Sequence, residues 1–303
     1  MFQSFSGARA AASRATFWLL LMLSPGCERT NQESVARALT HATGLVEVAQ
    51  RDLAEVRRGL PQGAEELGKR WSAAGVDLTN DPEAAREALN AARNKVQDLR
   101  IAKSTFFALA TPAGKVVRND REQDLMAGAA LFPAFPSLEK AARGAYVEAL
   151  GVLPEAHGVK GKPDAEWVAA SGVSVGGEVR GLMVTGWAWS SYAFRLEFSL
   201  RNRITSELKD KKENVPLVYA FVIVGDEVYG SPESPEVNAR AIAERKPLSN
   251  LAADGAFSTL LEITGRQFAL GVRALPDITP GAAPGVSPGP APAVGIGVLR
   301  SEI

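Results

Sequence analysis

The sequence predicts an α+β fold in which a long N-terminal helix or helical hairpin precedes antiparallel sheet modules. Three observations carry that prediction. Apolar residues at Val35, Leu39, Ala42, Val46, Ala49, Leu53, Val56 and Leu60 recur at alternating intervals of four and three, which is the seam of a helix that seeks a partner. Beyond Ile101 the texture changes to hairpins, with turn clusters at Thr111–Gly114, Gly176-Gly177, Gly225-Asp226 and Thr264–Arg266. Hairpin, helix and hairpin then follow one another twice, over about 85 residues each time.

The helical segment covers residues 35–104. Val35–Leu60 would be about 39 Å long at about 1.5 Å per residue. Pro61-Gln62-Gly63 is expected to interrupt it, because proline removes a helical donor and glycine permits a reversal. A second helix begins at Pro82 behind Asp81 as N-cap, with its own seam at Ala85, Leu89, Ala92, Val96 and Leu99. Two outcomes fit: a hairpin that packs on itself, or an intermolecular coiled coil that makes a homodimer.

The first sheet module is expected over 105–213. Thr105–Ala110 and Lys115–Arg118 flank a proline-containing turn, amphipathic helical sequence follows around Ser137–Leu150, and Glu166–Val175 and Val179–Trp187 form the second hairpin. Tyr192, Leu196, Leu200, Ile204 and Leu208 return to helical spacing before the charged run Lys209–Glu213. The second module, 214–303, repeats this order with Leu217–Val224 turning into Glu227–Tyr229, a helix at Pro235–Arg245, a hairpin of Ala256–Ile263 with Gln267–Leu275, and a last strand at Val294–Arg300. Pro276–Pro292 is too rich in proline and glycine to pair in a sheet and is read as a loop.

Charge and composition exclude several function classes. The 303 residues carry 34 Lys+Arg against 34 Asp+Glu, so there is no basic excess for neutralising phosphates and no nucleic-acid partner is expected. One cysteine cannot form an internal disulfide or, with two histidines, a Cys-rich zinc site. The chain has ample apolar material for a packed core, with 46% hydrophobic residues.

That cysteine lies in an informative place. Arg9 and Arg14 precede the short apolar run Ala15–Leu23, which is far below the roughly 20 residues that cross a bilayer as a helix. Leu23-Ser24-Pro25-Gly26-Cys27 follows and resembles the lipobox of bacterial lipoproteins. The resemblance implies removal of residues 1–26 as a signal peptide, acylation of Cys27, a polar tether over 27–34 and anchoring rather than spanning. With Glu28 after the cysteine it further implies an outer-membrane anchor facing the periplasm.

The order of elements behind the long helix is similar to that of extracellular Cache sensor domains, which belong to the PAS-like group. The similarity is carried locally by Phe107-Ala108-Leu109-Ala110-Thr111-Pro112-Ala113-Gly114-Lys115-Val116-Val117 and by Val224-Gly225-Asp226-Glu227-Val228. It implies a small-molecule-binding or sensory domain without catalysis or cofactor. The first copy reads as ending in a helix where a PAS sheet adds a fifth strand, so one sheet shared by both halves stands beside two modules as an alternative.

Catalytic patterns fail on their own terms. Gly172-Val173-Ser174-Val175-Gly176 fits the G-x-S-x-G elbow of serine hydrolases, but that fold places its histidine after the serine, whereas His41 and His157 both precede Ser174. Gly285-Val286-Ser287-Pro288-Gly289 has the same letters inside the proline-rich loop. No phosphate-binding loop, dinucleotide fingerprint or metal-ligand spacing is present, so no cofactor or metal is expected.

The candidate ligand-binding residues are Trp187, Trp189, Tyr192 and Arg195, at a strand-to-helix junction. Aromatic walls with a guanidinium could hold a small organic acid or amine. The same residues could equally be core, pinning helix to sheet with Arg195 reaching out to water. An envelope protein partner in a structural or assembly role is the competing function.

Overall fold

A computed structural model describes residues 25–154, 163–209, 215–276, 278 and 294–301. The leader through residue 24, His157, the segment 210–214, nearly all of the proline-rich loop and Gly285–Gly289 lie outside these residues.

A single helix, α1 (Pro25–Ala74), forms the spine and spans about 75 Å at about 1.5 Å per residue. Residues 27–34, expected as a tether, lie within it. The seam is buried from Ala42 through Leu60 and continues as Ala64, Leu67 and Trp71.

The break expected at Pro61-Gln62-Gly63 does not occur. Pro61 sits inside α1 with its ring on the exposed side, while Leu60, Ala64 and Leu67 are wholly or almost wholly buried. A Cβ on Gly63 would lie 2.4 Å from Leu99 Cδ1, so this glycine admits a neighbouring helix rather than a reversal. Packing on both sides of the proline outweighs the lost backbone bond.

The reversal comes later, at Gly75 with φ +67°. The chain then returns along α1 as α2 (Pro82–Lys95) and α3 (Gln97–Ile101). Asp81 caps α2 as expected, its carboxylate accepting from the Ala84 amide at 3.0 Å. The α1 seam is thus filled by this chain's own elements, which leaves none of its Ala42–Leu60 stretch for an intermolecular coiled coil.

Among the described residues ten strands make two antiparallel sheets. The first contains β1 (Phe106–Ala110), β2 (Val116–Asn119), β3 (Tyr146–Leu153), β4 (Asp164–Val175) and β5 (Glu178–Ala188), in the order β2-β1-β5-β4-β3. The second contains β6 (Leu217–Val224), β7 (Glu227–Gly230), β8 (Ala256–Ile263), β9 (Arg266–Ala274) and β10 (Val294–Ser301), in the order β7-β6-β10-β9-β8. The two orders are the same permutation. There are two sheets rather than one shared sheet, with the long-helix-plus-sheet architecture that the Cache resemblance implies.

The fifth strand of the first sheet comes from sequence expected to be helical. Only Pro136–Arg143 coils, as a 3₁₀ helix ended by Gly144 at φ +89°. Tyr146–Leu153 then pairs with Ser171–Asp164.

Period-two alternation decides which residues face which layer. On the first sheet Phe107, Leu109, Trp167, Ala169 and Met183 join the core under α1 and α2, whereas Phe106, Ala108, Val168, Ala170 and Val184 face the 3₁₀ helix and its flanking loop. On the second, Val218, Ala220, Val222, Ile296 and Val298 join the central core, and Phe221, Ile223 and Leu270 face α5 (Glu236–Ala243). Helix α4 (Trp189–Leu208) leads from the first sheet toward the second and carries the candidate residues.

Candidate ligand groove

Strand β5 delivers Trp187 directly into α4. Trp187 is completely buried, stacks on Tyr192 with centroids 4.2 Å and planes 1° apart, and packs against Trp167 at 4.7 Å. Trp189 meets Trp187 edge-on at 6.4 Å and is also buried. These tryptophans belong to the central core.

Tyr192 and Arg195 lie at the edge of that core and line a groove of about 430 Å³ between α1, α4 and the segment that joins α3 to β1. Val48 and Asp52 come from α1, Lys103 from the joining segment, and Phe194, Leu196 and Phe198 from α4. The four candidate residues therefore divide: the structure brings Tyr192 and Arg195 to the groove and packs Trp187 and Trp189 in the core.

Sequence reasoning missed Asp52 and Lys103. Asp52 carried a signal, because it interrupts the apolar stripe Leu45, Val48, Ala49, Leu53 and Val56 at helical spacing. Lys103 carried none.

The polar groups are organised around Tyr192. Its hydroxyl donates to Asp52 Oδ2 at 2.9 Å, and burial together with that carboxylate holds the phenol well above its ordinary range. Burial pushes the Asp52 carboxyl up to about 6, against the lowering effect of the Tyr192 bond, with Glu55 adding to the rise. Arg195 Nη1 donates to the Ser104 carbonyl at 2.6 Å and to the Lys103 carbonyl. Burial and the nearby Arg121 guanidinium lower the Arg195 pKa.

Such a groove can hold an ion against an apolar wall; it contains no nucleophile–base pair. Among the described residues the hydrolase pattern is not assembled elsewhere either. Ser174 lies within β4 at the entry to a hairpin, its carbonyl under Gly68, and His41 is about 40 Å along α1 from that glycine. Among the described residues no group of three His, Cys, Asp or Glu could hold a metal, and no helix is long and apolar enough to cross a membrane.

No family model matches the chain, and no curated protein matches it in sequence. Solved structures do match, among them ligand-binding, sensor and extracellular domains. The extracellular domain of the histidine kinase candidate vpHK1S-Z8 has a TM-score of 0.50 at 10% identity, with 90% of this chain and 93% of that one covered. The ligand-binding domain of Mlp24 with asparagine has a TM-score of 0.45 at 16% identity, covering 91% and 95%. An extracellular ligand-binding receptor from Desulfohalobium retbaense DSM5692 has 0.46 at 14%, and there this chain, matched over 88% of its own length, spans 40% of the receptor. The vpHK1S-Z8 similarity shows that this chain shares the fold of that extracellular domain.

Proposed function

We propose that the chain is the sensory body of a cell-envelope lipoprotein, anchored through acylated Cys27 to the outer membrane and facing the periplasm, and that it binds a small molecule without transforming it. The observation that carries the binding reading is the groove itself, where a buried acid and two cations meet apolar side chains at the helix that leads from one sheet to the other. A ligand clasped between α1 and α4 would bias how the two sheets are held, and an envelope protein partner would read that change.

Two measurements test this reading. Mass spectrometry of the membrane fraction should find a diacylated N-terminal Cys27, and Cys27→Ser should release the protein; an intact leader on cytosolic protein overturns the anchor. A metabolite screen should find a compound that raises the melting temperature saturably, since a ligand at about 100 times its Kd adds about 2.7 kcal/mol. That shift should vanish when groove residues are changed.

An assembly role is favoured by a different observation. Phe194 and Phe198, one turn apart on α4, are 41% and 59% exposed. That reading expects Phe198→Ser to dissolve a complex with another envelope protein while no metabolite alters stability.

A further inference from the structure

The sign of charge in the groove selects among ligands. Lys103 and Arg195 both line it, and among the described residues neither forms an ion pair with a carboxylate. Arg195 donates Nη1 to two backbone carbonyls, which satisfies donors but puts no carboxylate in ion-pair contact with its charge, Asp52 acting on it only at longer range. The one acid in the lining, Asp52, is 5% exposed and already accepts a bond from Tyr192. Glu55 faces Asp52 from the next turn of α1 but does not line the groove, and Arg51 on the same helix, Lys103 beyond α3 and Arg195 on α4 bear on Asp52 from the positive side. Val48, Phe194, Leu196 and Phe198 supply the apolar part of the same lining.

We infer that the groove takes a small carboxylate with an apolar body, its anionic end between Lys103 and Arg195 and its body against Phe194 and Phe198. The inference rests on the groove being a ligand site. Binding of such an anion tightens as the pH falls, because a protonated Asp52 no longer repels it.

The test uses three probes of one shape, phenylacetate, phenylacetamide and phenethylamine, titrated calorimetrically into the folded protein. Phenylacetate is expected to bind at least tenfold more tightly than phenylacetamide, with phenethylamine weaker still. Lys103→Met, a change at an exposed side chain, should weaken phenylacetate at least tenfold, and Lys103→Arg should restore it. Lowering the pH from about 7.5 to about 5.5 should tighten phenylacetate several-fold in the native protein and not in Asp52→Asn. If phenylacetamide or phenethylamine binds as tightly as phenylacetate, or Lys103→Met leaves phenylacetate unchanged, the anion assignment is wrong while small-molecule binding stands. If none of the three binds saturably at millimolar concentration, the groove fails as a ligand site and both readings fall.

Discussion

Arg57 of α1 grips Glu148 of β3 with two parallel bonds, Nε to Oε1 at 2.6 Å and Nη2 to Oε2 at 2.9 Å. The same carboxylate accepts from the Tyr146 hydroxyl at 2.9 Å and the Trp167 indole at 3.4 Å. It therefore ties the edge strand of the first sheet to the spine. Glu148→Gln keeps the shape but loses the charge-assisted fork, and should lower stability by about 1–2 kcal/mol in urea unfolding. Glu148→Leu should cost more, because it leaves the hydroxyl and indole without an acceptor.

Asp52 makes stability depend on pH in the direction opposite to most carboxylates. Its pKa rises from 3.8 in the unfolded chain to about 6 in the fold, so the native state holds more protons between those values. Stability then falls as the pH rises through that window and stays lower above it, by about 2–3 kcal/mol for this group. Glu55, raised by burial and by Asp98, adds to the same trend. Asp52→Asn is expected to be more stable than the native protein near neutral pH and to flatten the profile between about pH 4 and 6. A profile unchanged by Asp52→Asn would show that this carboxyl is not the source.

Tyr192→Phe separates stacking from hydrogen bonding. The ring still packs on Trp187, but Asp52 loses the donor that favours its charged form. Its pKa should climb above about 6, and the stability break should move to higher pH by the same amount. Paired unfolding curves of the two proteins across that range read the shift directly.

The spine approaches both sheets at glycines. A Cβ on Gly271 of β9 would come within 2.3 Å of the Leu39 amide nitrogen, and one on Gly68 of α1 within 2.3 Å of the Ser174 carbonyl oxygen. Both obstacles are backbone and cannot rotate away. Gly271→Ala and Gly68→Ala should each cost about 1–3 kcal/mol, whereas Ala54→Gly, at a half-buried position of α1, should cost only about 1 kcal/mol.

The sheets were legible in the sequence wherever the signal was local. Gly176-Gly177 and Gly225-Asp226 mark turns by chemistry within a few residues, and the strands on either side fell within a residue or two of their observed ends. Strand β3 was not legible because Leu138, Ala142, Ala145 and Ala149 imitate helical spacing, and only pairing with β4 commits Tyr146–Leu153 to a sheet. The groove was half legible for a related reason. Tyr192 and Arg195 stand in one conspicuous cluster, but Asp52 reaches Tyr192 across 140 residues, a contact that no local pattern encodes.

Pro61 shows tertiary packing overriding a local rule, and it can be measured. A proline inside a helix removes one backbone bond and crowds the preceding turn, at a cost of about 3 kcal/mol in an isolated helix. Here Leu60 and Ala64 hold the two sides in the core, and Gly59 and Gly63 let Leu99 close over them. The ring points away from the core, so replacing it disturbs no buried contact. Pro61→Ala should therefore raise stability by about 1–3 kcal/mol with the fold unchanged. A loss of stability would mean that the proline bends α1 to follow the two sheets, and that the spine needs that bend to reach Gly271 and Ser174 at once.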